Sequence, residues 1–178
     1  NYKNQLVQTG ELNDVGAAIR QNVDKSYRLG WEGSVTQQLG KYFAIHGNWA
    51  LSANKIKAFD EALFDYTDGF EKVIIAHKNT DISFSPSVVS AIQVMVKPKT
   101  NLEIEFSTKF VSKQYLDNTS NEARSIPSFH YENLRASYII PSKYWKSASV
   151  TLMVNNVFDI KYSSNGYTYS YIFNDLIT

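Results

Sequence analysis

Apolar and polar residues alternate with a period of two along most of the chain, a pattern that predicts half-buried β-strands. The clearest case is Ser26–Leu39, where odd positions are mostly apolar and even positions mostly polar. After a turn at Gly40 and Lys41 the alternation resumes over 43–54. The remaining segments with this pattern are 2–9, 82–96, 102–110, 134–140 and 150–154. We therefore predict an all-β fold with about seven long strands.

The predicted connections alternate between short and long. Short turns fall at 40–41, 97–101 and 141–147, and long connections at 10–23, 57–79, 116–126 and after 162. Several strands exceed both the roughly 5–6 residues of a typical globular strand and the roughly 9–11 that cross a bilayer. This arrangement is typical of an antiparallel transmembrane β-barrel segment, with short periplasmic turns and long extracellular loops.

Charged side chains stay at the polar positions of the predicted strands. Examples are Glu32, Glu103, Glu105, Lys109 and Arg135. A strand face that meets lipid would need this separation, because Arg or Lys at the bilayer midplane costs roughly 2–4 kcal/mol. Tyr42, Tyr144 and Trp145 lie beside the short turns, where an interfacial belt of aromatic residues belongs.

Composition narrows the function classes. Aromatic residues make up 14% of the chain, which favours strands over helices. The absence of cysteine excludes disulfides, thiolate metal sites and a cysteine nucleophile. A net charge of +1 gives no reason to expect a nucleic-acid partner. No apolar run reaches the roughly 18 residues of a transmembrane helix.

No residue pattern predicts a catalytic, metal or cofactor site, and we do not expect an enzyme. The histidines lie on three separate segments, at His46, His77 and His130. Glu103 and Glu105 share one strand face, a spacing that could form a carboxylate pair. Because Lys109 and Arg135 lie on neighbouring polar faces, we expect salt bridges there instead.

Aromatic residues concentrate in the 57–79 connection and near the C-terminus. The candidate ligand contacts are Phe59, Phe64, Tyr66, Phe70, Tyr167, Tyr169 and Tyr171. Exposed rings beside polar groups suit stacking on a ferric chelate, haem or a sugar. The carboxylates interleaved in 57–79 lack the spacing of an EF-hand. Solvated charges among packed aromatic rings remain the alternative interpretation.

Four strings resemble motifs of TonB-dependent outer-membrane receptors. Residues 154–162 (VNNVFDIKY) resemble the N-[LV]-F-[DN]-x-x-Y signature near the end of that family. Residues 26–32 (SYRLGWE) match a common strand start, 113–119 are similar to a late extracellular-loop entry, and 2–16 to a preceding hairpin. The strings occur in the family's order and span nearly the whole chain.

The resemblance implies that 1–178 is the C-terminal portion of a 22-strand barrel, with the plug domain and the final strand outside this sequence. It implies an outer-membrane receptor of a Gram-negative bacterium that takes up a scarce nutrient, such as a ferric siderophore, haem or cobalamin. The implied partners are outer-membrane lipid, the plug of the same parent chain, TonB and the extracellular nutrient.

Two other interpretations stay open. A soluble β-sandwich that binds carbohydrate or another ligand would require the apolar faces to bury one another. A complete small porin or autotransporter barrel is disfavoured, because an odd set of seven strands leaves unpaired edges.

Overall fold

The computed structural model describes residues 1–178 except 13, 14, 16, 17, 145, 147 and 178, and it leaves out the side chains of 8–12 and 18. Strands make up 63% of the fold. In the described part the helical content is one 3-10 turn, Glu122–Arg124. The predicted all-β class is therefore confirmed. Trp145 and part of the hairpin string 2–16 lie outside the described residues.

The strands run antiparallel with one exception, β12 on β4. Their bounds are β1 (Gln5–Leu12), β2 (Ala18–Val23), β3 (Ser26–Leu39), β4 (Phe43–Asp65), β5 (Glu71–Asp81), β6 (Val88–Lys99), β7 (Leu102–Val111), β8 (Gln114–Tyr115), β9 (Ser125–Ile126), β10 (Phe129–Ile139), β11 (Ser149–Val154), β12 (Ile172–Phe173) and β13 (Leu176–Ile177). Each of the seven predicted strands corresponds to one of these; β3 has the predicted bounds, and the others differ from the prediction at one or both ends.

A curled, open sheet forms the body of the molecule. Its strands follow the order β11-β10-β7-β6-β4, and β3 pairs with β4 as well. Residues Phe43–Leu51 pair with both β3 and β6, so these two strands occupy opposite edges of β4. The predicted short turns at 40–41 and 97–101 are present as tight connections between β3 and β4 and between β6 and β7.

The prediction of a long connection over 57–79 is wrong, because this segment forms a paired hairpin. β4 continues to Asp65, and β5 returns along it from Glu71 to Asp81. Charged residues on both sides of the strand hide the period-two pattern here. Pairing of the backbone N–H and C=O groups nevertheless holds the segment extended. The predicted connection 10–23 is likewise shorter, since β2 pairs with β1.

The predicted strand over 82–96 is wrong for its first six residues. Leu51 pairs with Val88 and Lys55 with Asp81, so residues 82–87 bulge out opposite only 52–54 of β4. Phe84 in this bulge has a φ of 51°, in the left-handed region that is uncommon for non-glycine residues. The bulge separates the lower wall, where β6 pairs with β4, from the upper hairpin formed with β5.

The register places the apolar positions of neighbouring strands on one common face. Directly paired residues share a face of an antiparallel sheet. One row across the wall consists of Ile45, Val94, Phe106, Leu134 and Val154. The adjacent row, on the other face, consists of Thr36, His46, Gln93, Ser107 and Asn133. The two faces predicted from the alternation are thus the two faces of the sheet.

The apolar face of the wall remains exposed. Trp31 is 61% exposed and Leu152 67% exposed. The buried hydrophobic cluster lies elsewhere, where the β1–β2 hairpin meets β4 and the bulge, and comprises Val7, Val23, Ile56, Phe59 and Ile82. β4 contributes Ile56 and Phe59 to this cluster.

Gly33 is required by a close cross-strand contact on the apolar face. It pairs with Trp49, and a Cβ added to Gly33 would lie 2.5 Å from Cζ2 of the indole. The Trp49 ring also packs at 5.5 Å, centroid to centroid, against Trp31. Gly47 differs, since a Cβ added there would meet only Val35 Cγ1, at an ordinary 3.6 Å.

We predict that Gly33→Ala lowers the free energy of unfolding by about 1–3 kcal/mol, because Trp49 must leave its position to admit the methyl group. Gly47→Ala, on the same face of the adjacent strand, is the matched control and should be neutral within about 0.5 kcal/mol. Urea unfolding midpoints of the intact protein measure both. Equal midpoints for the two variants would contradict the Gly33–Trp49 contact.

Candidate functional site

Five of the seven candidate aromatic residues meet at the end of the β4–β5 hairpin. Phe64 and Phe70 stack at 4.6 Å between ring centroids, and Tyr66 meets the edge of Phe70 at 5.4 Å. Tyr171 contacts Tyr66 at 5.9 Å, and Tyr169 stacks on Tyr171 at 6.3 Å. We call this group the aromatic tip.

Backbone pairing brings the C-terminal residues to the aromatic tip. Ile172 of β12 pairs with Asp65 at the end of β4, and the N–H of Tyr66 donates to the Ile172 carbonyl at 2.9 Å. Ile172 is itself buried. Residues more than 100 positions apart in sequence therefore form one surface. From the sequence alone, these candidates lay in two separate segments.

The other two candidates differ from the rest. Phe59 is only 6% exposed, and its ring stacks on His77 at 5.0 Å within the buried cluster. The expectation of an exposed ring is therefore wrong for Phe59, which packs in the buried cluster with Ile56 and Ile82. Tyr167 is 88% exposed and precedes Tyr169 by two residues in the chain.

Exposure and charge give the aromatic tip its chemical character. Phe70 is 65% exposed, and Tyr66 and Tyr169 are also exposed, so their ring faces and edges are available for stacking. The Asp65 carboxylate accepts the Thr67 N–H at 2.8 Å. The proximity of the Thr67 hydroxyl and its N–H lowers the pKa of Asp65. The surface combines apolar rings with hydrogen-bond acceptors.

A buried charge network below the aromatic tip was missed in the sequence. Arg124 Nη1 donates to Glu61 Oε1 at 2.8 Å and to Asp117 Oδ2 at 3.0 Å. His77 Nε2 lies 2.8 Å from the other Glu61 oxygen. In the sequence, Glu61 is only one of several carboxylates in the 57–79 connection, and no local pattern indicates its partner. The network joins the β4–β5 hairpin to the 112–126 segment.

Burial and hydrogen bonding have opposite effects on the pKa of Arg124. Desolvation disfavours its charge, whereas the hydrogen bonds and the charges of Asp117 and Glu61 favour it, and the net result is a raised pKa. The guanidinium is thus held charged at 9% exposure. Removing one member of such a network leaves the others buried and unpaired, which is where most of the destabilisation arises.

Further bonds fasten the 112–126 segment to the bulge. Asn118, almost fully buried, accepts the Ser83 N–H at 2.9 Å through Oδ1. The Asp81 N–H donates to Ser120 Oγ at 2.7 Å. At the outer end Lys113 forms an ion pair with Glu122 at 2.6 Å. The predicted long connection 116–126 is therefore an ordered element that covers the bulge.

The string that resembles the receptor signature forms a fixed turn at the end of β11. The Asn156 amide bonds the backbone of Ile160 twice: Oδ1 accepts its N–H and Nδ2 donates to its carbonyl, each at 3.0 Å. The turn directs Tyr162 onto Phe129 and Tyr131, with ring centroids 4.6 Å and 5.4 Å away. The first and last residues of the motif thus anchor the chain that leads to the aromatic tip.

The predicted polar-face pairs are partly present. Glu105 faces Arg135 at 3.7 Å, whereas Glu103 pairs with Lys97 at 3.1 Å. His46 is hydrogen-bonded to Thr36 at 2.7 Å. Over the residues that the structure describes, no group of three or more His, Asp or Glu side chains could hold a metal ion. In that same part of the chain, no helix is long and apolar enough to cross a membrane.

We predict that Arg124→Met loosens the 112–126 segment and lowers the free energy of unfolding by about 3–5 kcal/mol, because Glu61 and Asp117 lose their buried partner. Hydrogen exchange of that segment measures the local effect. Lys161→Met is the control, since the Lys161–Asp159 pair is exposed and such pairs contribute little. Unchanged exchange in Arg124→Met would show that the network does not hold the segment.

Comparisons with known proteins add no family assignment to this geometry. A scan against protein-family models and a search of curated proteins each found no match to the chain. The receptor identity therefore remains a prediction that depends on the four motif strings.

Proposed function

We propose that the chain is part of the wall of an outer-membrane β-barrel in a TonB-dependent nutrient receptor. The observation that carries the proposal is the mostly apolar face, which extends from β3 across β4, β6, β7 and β10 to β11 and is interrupted by polar residues such as Gln37, Thr108 and Glu132. Lipid would cover this face, and the polar face would line the barrel interior and meet the plug.

The extent of the apolar face supports lipid contact. Soluble monomers rarely expose a contiguous apolar patch larger than a few hundred Å². Fully burying one Val, Leu, Ile or Phe side chain contributes roughly 1.5–3 kcal/mol, and the wall exposes many such side chains, among them Leu29, Val35, Leu51, Ile92 and Val150. In the described part of the chain no second sheet packs on them, as a soluble sandwich would require.

Strand length also supports a wall that spans the membrane. Phe43–Leu51 contribute nine paired positions with β6, which agrees with the roughly 9–11 residues that cross the hydrocarbon. Beyond the bulge, the hairpin from Lys55 to Asp65 rises about a further 35 Å at roughly 3.3 Å per residue. The aromatic tip would then stand well outside the membrane, on the side opposite the short turns, where an extracellular nutrient arrives.

The role proposed for the aromatic tip is first contact with the nutrient. Rigid aromatic rings bury large area at low conformational-entropy cost, and the Arg124 network and the Asn156 turn hold the strands that carry them. Energy for release into the cell would come through TonB and the plug of the parent chain.

The lipid-facing assignment is tested with single cysteines at neighbouring positions of β3, in the otherwise cysteine-free chain. Val35→Cys lies on the apolar face and Thr36→Cys on the polar face. With nitroxide labels in lipid vesicles, we expect position 35 to collide more with oxygen, which concentrates in lipid. Position 36 should collide more with a water-soluble nickel chelate, because it lies in the aqueous interior. Equal accessibility at the two positions would exclude a lipid-facing wall.

The receptor role is tested separately by growth of a strain that lacks the intact protein. We expect it to grow poorly when a ferric siderophore, haem or cobalamin is the limiting nutrient for which the receptor is specific. The double variant Tyr66→Ser/Phe70→Ser should reduce growth at equal outer-membrane abundance, and Tyr144→Ser, distant at a short turn, should not. Normal growth of the deletion strain on all three nutrient classes would contradict the proposal.

A further inference from the structure

A polar cavity lies beside the β1–β2 hairpin, well away from the aromatic tip. Its polar lining consists of Gln5, Arg20, Arg28, Ser83 and Asn118. The cavity is separated from the hairpin turn by the whole length of β5, about 35 Å at roughly 3.3 Å per residue. Whatever binds there is therefore bound independently of the aromatic rings.

Strand pairing brings the two arginines to the same cavity. Arg20 lies on β2, and Arg28 lies just beyond Ser26 on β3. β1 holds both segments in line, because Gln5 pairs with Val23 and Tyr2 forms a bridge with Ser26. The bulge then closes the cavity from the other side with Ser83, which the buried Asn118 fixes in place.

The charges around the cavity are unbalanced. None of its lining residues is Asp or Glu, and the nearby Asp81 is bound to Lys55 at 2.8 Å and to Ser120 at 3.2 Å. Among the described residues neither Arg20 nor Arg28 forms an ion pair, and Arg28 has only a long 3.5 Å contact with Ser85 Oγ. Two exposed guanidinium groups, each with five N–H donors, therefore line one space without an acidic partner among the described residues.

We propose that this cavity binds an oxyanionic group, a carboxylate or a phosphate, between Arg20 and Arg28. Guanidinium groups match the two oxygens of such anions in a bidentate geometry. The anion would also offset the repulsion between the two like charges. This site depends only on the cavity, so anion binding goes beyond the proposed receptor function and does not require a membrane.

The size of the cavity limits the ligand. Its volume is about 200 Å³, whereas a water molecule takes up roughly 30 Å³ of the liquid and pockets for drug-sized ligands start at about 300 Å³. The cavity thus admits a small anion, or the anionic arm of a larger ligand, but not a whole ferric chelate or haem.

The test is calorimetric titration of the intact protein with inorganic phosphate and, separately, with citrate at low ionic strength. We expect saturable binding of at least one probe, and the choice between them distinguishes a phosphate site from a carboxylate site. Arg20→Gln and Arg28→Gln should each weaken that binding about tenfold or more, since each removes charge-assisted hydrogen bonds. Arg28→Lys should give an intermediate loss, because it keeps the charge without the fork.

Arg135→Gln is the matched control, because Arg135 lies on the same polar face but pairs with Glu105 outside this cavity. Its affinity for either probe should stay within about twofold of the unmodified protein. No saturable binding of either probe, or equal weakening by Arg135→Gln, would overturn the proposal. Circular dichroism checks that each variant is folded, and Arg28→Lys carries the test if a glutamine variant is not. The nitroxide result at positions 35 and 36 is independent of this outcome.

Discussion

Backbone hydrogen bonding along β4 is the interaction on which the rest of the structure depends. Its 23 residues pair with β3 on one edge and with β6 and then β5 on the other. Buried or lipid-covered peptide groups must find such partners, because an unpaired N–H or C=O group away from water costs free energy. One strand therefore fixes the register of the wall below the bulge and of the hairpin above it.

The register in turn determines which side chains lie on each face of the sheet. A slip of one residue would exchange the two faces of a strand, and the Gly33–Trp49 contact and the Thr36–His46 hydrogen bond both depend on the observed pairing. Where β4 passes the bulge, Phe59 and Glu61 are buried, whereas the apolar face of the wall is exposed. The buried cluster, the charge network and the arginine cavity all adjoin this irregular region. The functions proposed for the upper part of the molecule depend on it, whereas the wall depends on regular pairing.

The aromatic tip has a definite form because elements far below it are fixed. Arg124 holds the 112–126 segment to Glu61, and the Asn156 turn with the Tyr162 stack directs the C-terminal chain upward. Ile172 can then pair with Asp65 and bring Tyr169 and Tyr171 beside Tyr66. A surface so supported loses little conformational entropy on binding a ligand, which suits the receptor role that we propose.

The sequence by itself determined the all-β class, the strands of the wall and their two faces. Period-two alternation is a local property, because the polarity of each residue in β3 or β7 indicates which face of the sheet its side chain occupies. It also identified all five rings of the aromatic tip, although the candidates included Phe59, which is buried. Only the tertiary structure decided that 57–79 is a hairpin, since charges on both sides of that segment hide the alternation while backbone pairing still holds it extended. The pairing of Arg124 with Glu61 across 63 positions and the meeting of Arg20, Arg28 and Asn118 at one cavity produce no periodic pattern in the sequence. They arise from register and from the bulge, which are properties of paired strands and not of any single one.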